Sequence, residues 1–176
     1  APHIYVALAA RFMQGRKVLS DEEGEAFDVG SYKGVGYWQD CSEAVLLTSR
    51  GGYTYERTFS ESFVRPGLDR RNWVSRSNYP ALGVVPTGPQ EMSIYVLRHN
   101  EQPTSFLERF VLRPDGFISV SAGFSGGTML TKPLRFEGEE LVINYSTGAG
   151  GHVFVEARDD EGTPIPGWTR PEATQI

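Results

Sequence analysis

Between Arg109 and Trp168 apolar residues recur at every second position, and this periodicity constrains the chain more than any other feature of its sequence. Leu134 and Phe136 flank Arg135, Leu141, Ile143 and Tyr145 alternate with Val142 and Asn144, and Val153, Val155 and Ala157 alternate with Phe154, Glu156 and Arg158. Successive side chains of an extended chain point to opposite faces, so such runs suit half-buried strands rather than helices. Turn residues separate them: Pro114-Asp115-Gly116, Ser125-Gly126-Gly127, Glu137-Gly138-Glu139, Gly148 to Gly151 and Asp159 to Gly162. Glycine there supplies positive φ and Asp binds its own backbone. The pattern predicts an all-β chain with no helix longer than about two turns. Its C-terminal half is expected to form an antiparallel β-sandwich, with Phe110, Leu112, Ile118, Val120, Leu134, Phe136, Leu141, Ile143, Val153 and Val155 in the core.

A chain of 176 residues with 22% charged and 12% aromatic residues is neither disordered nor membrane-like in composition. Its net charge of −5 argues against a nucleic-acid partner, which calls for a basic face. No apolar run approaches the ~20 residues of a membrane-spanning helix, so no membrane partner is expected either. The lone Cys41 excludes an internal disulfide and reads as a small buried thiol. His3, His99 and His152 show no ligand spacing, and neither a metal nor another cofactor is expected.

The chain opens on Ala1 rather than Met, which reads as a processed or truncated chain. The apolar run Ile4 to Ala10 reads as a strand, given Ile4, Tyr5 and Val6. From Ser20 to Tyr37 an acidic stretch runs into a glycine-rich one, and the whole reads as an exposed loop. Ala44 to Thr48 and Tyr53 to Phe59 form a predicted hairpin around Ser49-Arg50-Gly51-Gly52. Ser60 to Tyr79 is a long irregular link containing Arg65, Arg70, Arg71, Arg76, Trp73 and Tyr79, and long loops of this kind are often functional. Ala81 to Val85 and Met92 to Leu97 are two further strands, the second with Met92, Ile94 and Val96 on one face. The polar connector Asn100 to Thr104, with Pro103, marks a domain boundary that divides the chain into 1–104 and 105–176.

Several of these motifs resemble a known family. Arg109-Phe110-Val111-Leu112-Arg113-Pro114-Asp115-Gly116-Phe117-Ile118-Ser119-Val120, Thr131-Lys132-Pro133-Leu134, Leu141-Val142-Ile143-Asn144-Tyr145-Ser146-Thr147 and Asp160 to Gly167 resemble the C-terminal β-sandwich of bacterial glycoside-hydrolase-like proteins. In that family the sandwich follows a five-bladed β-propeller related to the invertase and arabinanase clans. The resemblance extends through Thr48 to Gly52, Phe63 to Asp69 and Thr87 to Ser93. It implies propeller-blade-like hairpins in the N-terminal half, an oligosaccharide or polysaccharide as partner, and a secreted or periplasmic location. Gly51 stands where blade turns commonly carry Asp.

A glycosidase needs two carboxyl groups flanking the scissile bond. Glu91 follows a Gly-Pro turn at a strand start and resembles the position from which related propeller enzymes present an acidic residue. Asp28, in the glycine-rich loop, and Asp40, just before a strand, compete with Asp69 for the second place. Arg50, Arg57 and Arg65, interleaved with Tyr53, Tyr55, Phe59 and Trp73 and adjoining Asp69, form a candidate sugar-binding constellation. Aromatic faces there would stack on a pyranose while guanidinium groups bind its hydroxyls or a uronate carboxylate. The alternative for each residue is ordinary: a cap or turn for the acids, an aromatic core with arginines lying over it for the rest.

Two functions follow. One is a glycoside-hydrolase-like chain whose catalytic set is incomplete, because the residues before Thr104 supply about two blades rather than a closed ring. The other is a non-catalytic carbohydrate-binding or interaction module. Unclosed blades would leave open strand edges, which implies either self-association or cover from the 60–79 link.

Overall fold

The computed structural model describes residues 4–58 and 60–173, so His3 and Phe59 of the expectations above lie outside the described residues. The protein is all-β, built of antiparallel sheets with little helix. Residue contacts divide it into two compact units, Ala1–Ser119 and Val120–Ile176.

The first unit contains two β-layers. The apolar run near the N-terminus is a strand, β1 (Tyr5–Met13), paired antiparallel along its length with β4 (Cys41–Ser49). The second layer is centred on β7 (Glu91–Arg98), and β8 (Phe106–Leu112) covers one edge of it from Met92↔Leu112 to Arg98↔Phe106. The other edge is shared end to end by β5 (Tyr79–Pro80), opposite Leu97 and Val96, and β6 (Val85–Gly88), opposite Ser93 to Glu91. The strand expected at 81–85 therefore begins at Val85. In place of a blade's four-stranded meander, the sheet has one edge strand in two pieces.

Alternation explains the packing. Ile94 and Val96 share the buried face of β7 and meet Ala44 of β4 and Val64 in one core, with Leu8, Phe63, Phe110 and Leu112 packed against it. A second core gathers Leu19, Val29, Tyr37 and Val74 with Phe27, Trp38 and Trp73. Burying a side chain of this size contributes ~1.5–3 kcal/mol each.

The stretch from Ser20 to Tyr37, expected to be a loop throughout, holds a short helix, α1 (Asp21–Ala26), and a two-residue hairpin, β2 (Ser31–Tyr32) with β3 (Val35–Gly36). A capping box starts the helix: Ser20 Oγ accepts from Glu23 N while Glu23 Oε2 accepts from Ser20 N. Glycine recurs here partly for packing. A Cβ on Gly24 would stand 2.6 Å from Trp38 Cγ, and one on Gly36 2.5 Å from Trp38 Cε3, so both glycines make room for the indole.

The 60–79 link is irregular yet ordered by side chains. Buried backbone groups outside a sheet must find other partners, and Asn72, Asn78, Asn100 and Gln102 supply them through Pro66 O, Ser42 O, Ser75 O and Arg71 O at 2.8–3.2 Å. Arg98, buried at the end of β7, bonds Glu108 Oε2 at 2.6 Å, Arg65 O at 3.1 Å and Asn78 Oδ1. The expected hairpin after β4 is reduced to a single bridge, Thr48↔Glu56, with Ser49 Oγ closing the turn onto Thr54 O at 2.6 Å.

Two expectations are corrected. The boundary placed at Thr104 falls instead after Ser119, because β8 pairs with β7 and belongs to the first unit. The strands expected at 134–136, 141–145 and 153–157 do not form among the described residues, and with them the C-terminal sandwich is missing. Alternation creates an apolar face, but a strand also needs a partner and an opposing layer. In the second unit Leu134, Phe136 and Leu141 are 70%, 84% and 70% exposed, so that layer is absent there. Phe110 and Leu112 are core residues as expected, and the turns also hold: Asp159 Oδ1 accepts from Glu161 N and Thr163 N, and Asp159 O from Gly162 N.

Candidate functional site

The first unit carries a cleft of about 460 Å3 assembled from segments distant in sequence. Phe12 comes from β1, Tyr32, Lys33, Val35 and Gly36 from the β2–β3 hairpin, and Tyr37 from the 3-10 turn Tyr37–Gln39 that follows it. Asp40 lies just before β4, Ser75 and Arg76 on the irregular link, and Tyr79 on β5. The hydrogen bonds that order the link thus carry Arg76 and Tyr79 to the hairpin.

Several polar groups of the cleft are held. Ser75 N donates to Tyr37 O at 2.8 Å and Arg76 N to Ser42 Oγ at 3.0 Å, which fixes the link against the 3-10 turn and β4. Arg76 has φ +63°, a left-handed conformation unusual for a bulky residue and maintained only where its surroundings impose it. Its guanidinium lies 5.1 Å over the Tyr37 ring and donates to the Tyr37 hydroxyl at 3.1 Å. On the hairpin turn Lys33, at φ +52°, sets its ammonium 5.2 Å from the Tyr32 ring centre. Asp40 Oδ1 accepts from Gly15 N at 2.6 Å, tying the turn after β1 to the floor of the site. Gly15 has φ +70°, which glycine adopts without strain.

Two carboxylates of α1 tie neighbouring segments together. Asp21 Oδ1 receives Lys17 Nζ at 2.7 Å, Trp38 Nε1 at 2.7 Å and Gln39 Nε2 at 3.0 Å. The Lys17 and Trp38 bonds bring its carboxyl down to about 2. Glu23 takes Arg70 through both oxygens at 2.6 Å, and that guanidinium, with the Ser20 N–H, lowers its carboxyl to about 2 as well. Here the link is joined to α1.

Of the three residues expected to be catalytic, the cleft contains Asp40 alone. Glu91, at the start of β7, is occupied by Thr87 Oγ1 at 2.7 Å and by an ion pair with Arg109. Asp28 has φ +52° in an exposed turn, its N–H bonded to Glu25 O at 2.9 Å. Neither of these lines the cleft, so the arrangement brings no pair of expected acids together.

The arginine and aromatic constellation is dispersed. Arg50 lines a separate depression of about 310 Å3 with Ile4, Thr48, Ser49, Gly51, Thr54 and Glu56, while Tyr55 and Arg57 lie exposed beyond that lining. Arg65 pairs with Glu61 at 3.0 Å on the surface. Trp73 packs against the second core and donates its indole N–H to Gly67 O at 2.9 Å. Both placements follow the ordinary alternative for such residues rather than a shared binding surface.

Asp69 has a different role from the one expected. It caps the 3-10 turn Arg70–Asn72 through Arg71 N at 3.0 Å, and its other oxygen meets His99 Nε2 at 2.9 Å. Burial raises its carboxyl, but the Arg71 N–H and the His99 ring outweigh this and leave it below the usual range. His99 Nδ1 in turn meets Thr104 Oγ1 at 2.9 Å, with the Phe106 ring edge-on at 5.1 Å. No sequence signal marks this chain of three, because Asp69 is far from His99 and Thr104 in sequence. With both ring nitrogens engaged and the imidazole buried, it is a lock between the link and the β7–β8 turn.

Tyr37 and Phe12 gave no sequence signal as site residues. The clue to the others was the mixture of Tyr32 and Lys33 in a glycine-rich hairpin and of Arg76 and Tyr79 in the long link. Comparison with known proteins adds no name to this geometry: no family model, no curated protein and no solved structure matches the chain.

Proposed function

We propose that the protein binds carbohydrate non-catalytically, with the cleft between the β2–β3 hairpin and the irregular link as its ligand surface. The observation that carries this reading is the combination lining the cleft: Phe12, Tyr32, Tyr37 and Tyr79 beside Lys33, Arg76 and Asp40. A pyranose has an apolar face that stacks on aromatic rings and a rim of hydroxyls that needs fixed donors and acceptors. Arg76 and Asp40 are both held by the protein, so they can engage hydroxyls without first being ordered, which lowers the entropic cost of binding. The resemblance of Arg109 to Val120 and the later motifs to glycoside-hydrolase-like proteins points to the same ligand class.

Hydrolysis is not part of the proposal. A glycosidase would need a second carboxyl facing Asp40, and Asp40 is the one acid among the described lining residues. The test is calorimetric titration with a panel of soluble polysaccharides, on the protein and on Tyr79→Ala. Binding to at least one saccharide without release of reducing ends, weakened about tenfold or more by the substitution, supports the reading. No binding across acidic and neutral members contradicts it.

A further inference from the structure

The charge distribution of the cleft selects among saccharides. The chain carries a net charge of −5, yet its cleft is lined by two cations, Lys33 and Arg76, against the single carboxylate Asp40. Both cations sit beside aromatic rings, Arg76 over Tyr37 and Lys33 by Tyr32. Tyr32, 56% exposed, can therefore stack on a sugar ring while Lys33 meets a substituent at its rim, and the buried Tyr37 holds Arg76 in place beside it. Resting on the saccharide reading above, we infer that the ligand is an acidic polysaccharide built of uronate units, with the sugar carboxylate received by Arg76 and Lys33.

The chemistry favours a carboxylate over a hydroxyl. Arg76 commits one nitrogen, Nη1, to the Tyr37 hydroxyl. A guanidinium has five N–H donors in a planar fork, so an edge remains for two parallel bonds to a planar carboxylate. Lys33, on the hairpin turn beside Tyr32, offers a point charge with three rotatable donors. Asp40 would repel a uronate, but one of its oxygens is already bonded to Gly15 N, and one repulsive charge stands against two attractive ones. The expected preference at low salt is about tenfold, and it shrinks as salt screens exposed charges.

The experiment titrates the protein calorimetrically with oligogalacturonate, with the same oligosaccharide after its carboxyls are reduced to alcohols, and with polyglutamate. The inference predicts tightest binding to the uronate chain, weaker binding to the reduced chain and none to polyglutamate. It also predicts that Arg76→Gln and Lys33→Gln each move the affinity ratio of uronate to reduced chain toward one. Equal affinity for the two sugar chains would overturn the inference and leave the saccharide reading intact. Binding of polyglutamate as tight as that of the uronate would overturn it as a case of general polyanion attraction. If neither sugar chain binds, the inference falls; the saccharide reading falls with it only if the wider panel also fails.

Discussion

Replacing Gly36 by alanine tests the packing that shapes the cleft. Gly36 precedes the 3-10 turn with φ −65° and ψ 139°, a conformation any residue adopts, so alanine brings no backbone strain. What it brings is a methyl 2.5 Å from Trp38 Cε3, about 1 Å inside an ordinary carbon–carbon contact. Trp38 cannot simply move away. Its indole N–H is bonded to Asp21 at 2.7 Å and its five-membered ring abuts Gly24, where a Cβ would also stand 2.6 Å from Cγ. Overpacking of this kind costs ~1–3 kcal/mol, and the lower entropy of the unfolded alanine chain returns ~0.4–1 kcal/mol. The midpoints of the two ranges leave a net loss of about 1.3 kcal/mol, read as a fall in the urea midpoint at unchanged slope. A cycle with Trp38→Leu isolates the contact, since alanine at Gly36 should cost less once the indole is gone. A Gly36→Ala protein as stable as the parent, or an equal cost in both backgrounds, would refute the account of why glycine is there.

Other expectations follow from the same structure. Ile94→Ala, at a fully buried site between the layers, should cost ~2–5 kcal/mol, whereas Leu141→Ala, exposed in the second unit, should stay within ~0.5 kcal/mol; denaturant melts of both variants check the contrast. Truncating Arg98 to alanine strips the fully buried Asn78 Oδ1 of its donor and should cost ~1–3 kcal/mol for that group left unpaired, seen in the same melts. Asp21 and Glu23 are depressed to about 2, below the ~4 of an unfolded chain. Carboxyls of this kind contribute stability that is present above pH ~4 and drains as pH falls toward 2, so the melting temperature should drop across that window. Asp21→Asn with Glu23→Gln should flatten the drop; an unchanged slope would remove these groups from the explanation.

Some local signals in this sequence were accurate and the long-range ones were not, for a physical reason. Ile4, Tyr5 and Val6 predicted β1, and the spacing of Met92, Ile94 and Val96 predicted which face of β7 is buried, because both depend on neighbouring residues alone. The capping box of Ser20 and Glu23 was equally visible, but Gly24 in the middle of α1 hid it; that glycine is explained only by Trp38. Alternation at 134–157 has the same local quality as in β7, yet a strand exists only where another strand accepts its hydrogen bonds. The arginine constellation failed through geometry. Arg50, Arg57 and Arg65 are near in sequence, but an extended chain advances ~3.3 Å per residue and carries them to separate surfaces. The cleft, conversely, joins Phe12, Lys33 and Arg76 across more of the chain than any window of sequence reveals.

The saccharide proposal puts the ligand in the aromatic and cationic cleft. A backbone amide NMR titration with oligogalacturonate locates the ligand directly. The account predicts shifts concentrated at Tyr32, Lys33, Tyr37, Asp40, Ser75, Arg76 and Tyr79, with Arg50, Arg57, Arg65 and Trp73 unmoved. Shifts centred on Arg50 and Tyr55, or none at saturating ligand, would contradict it.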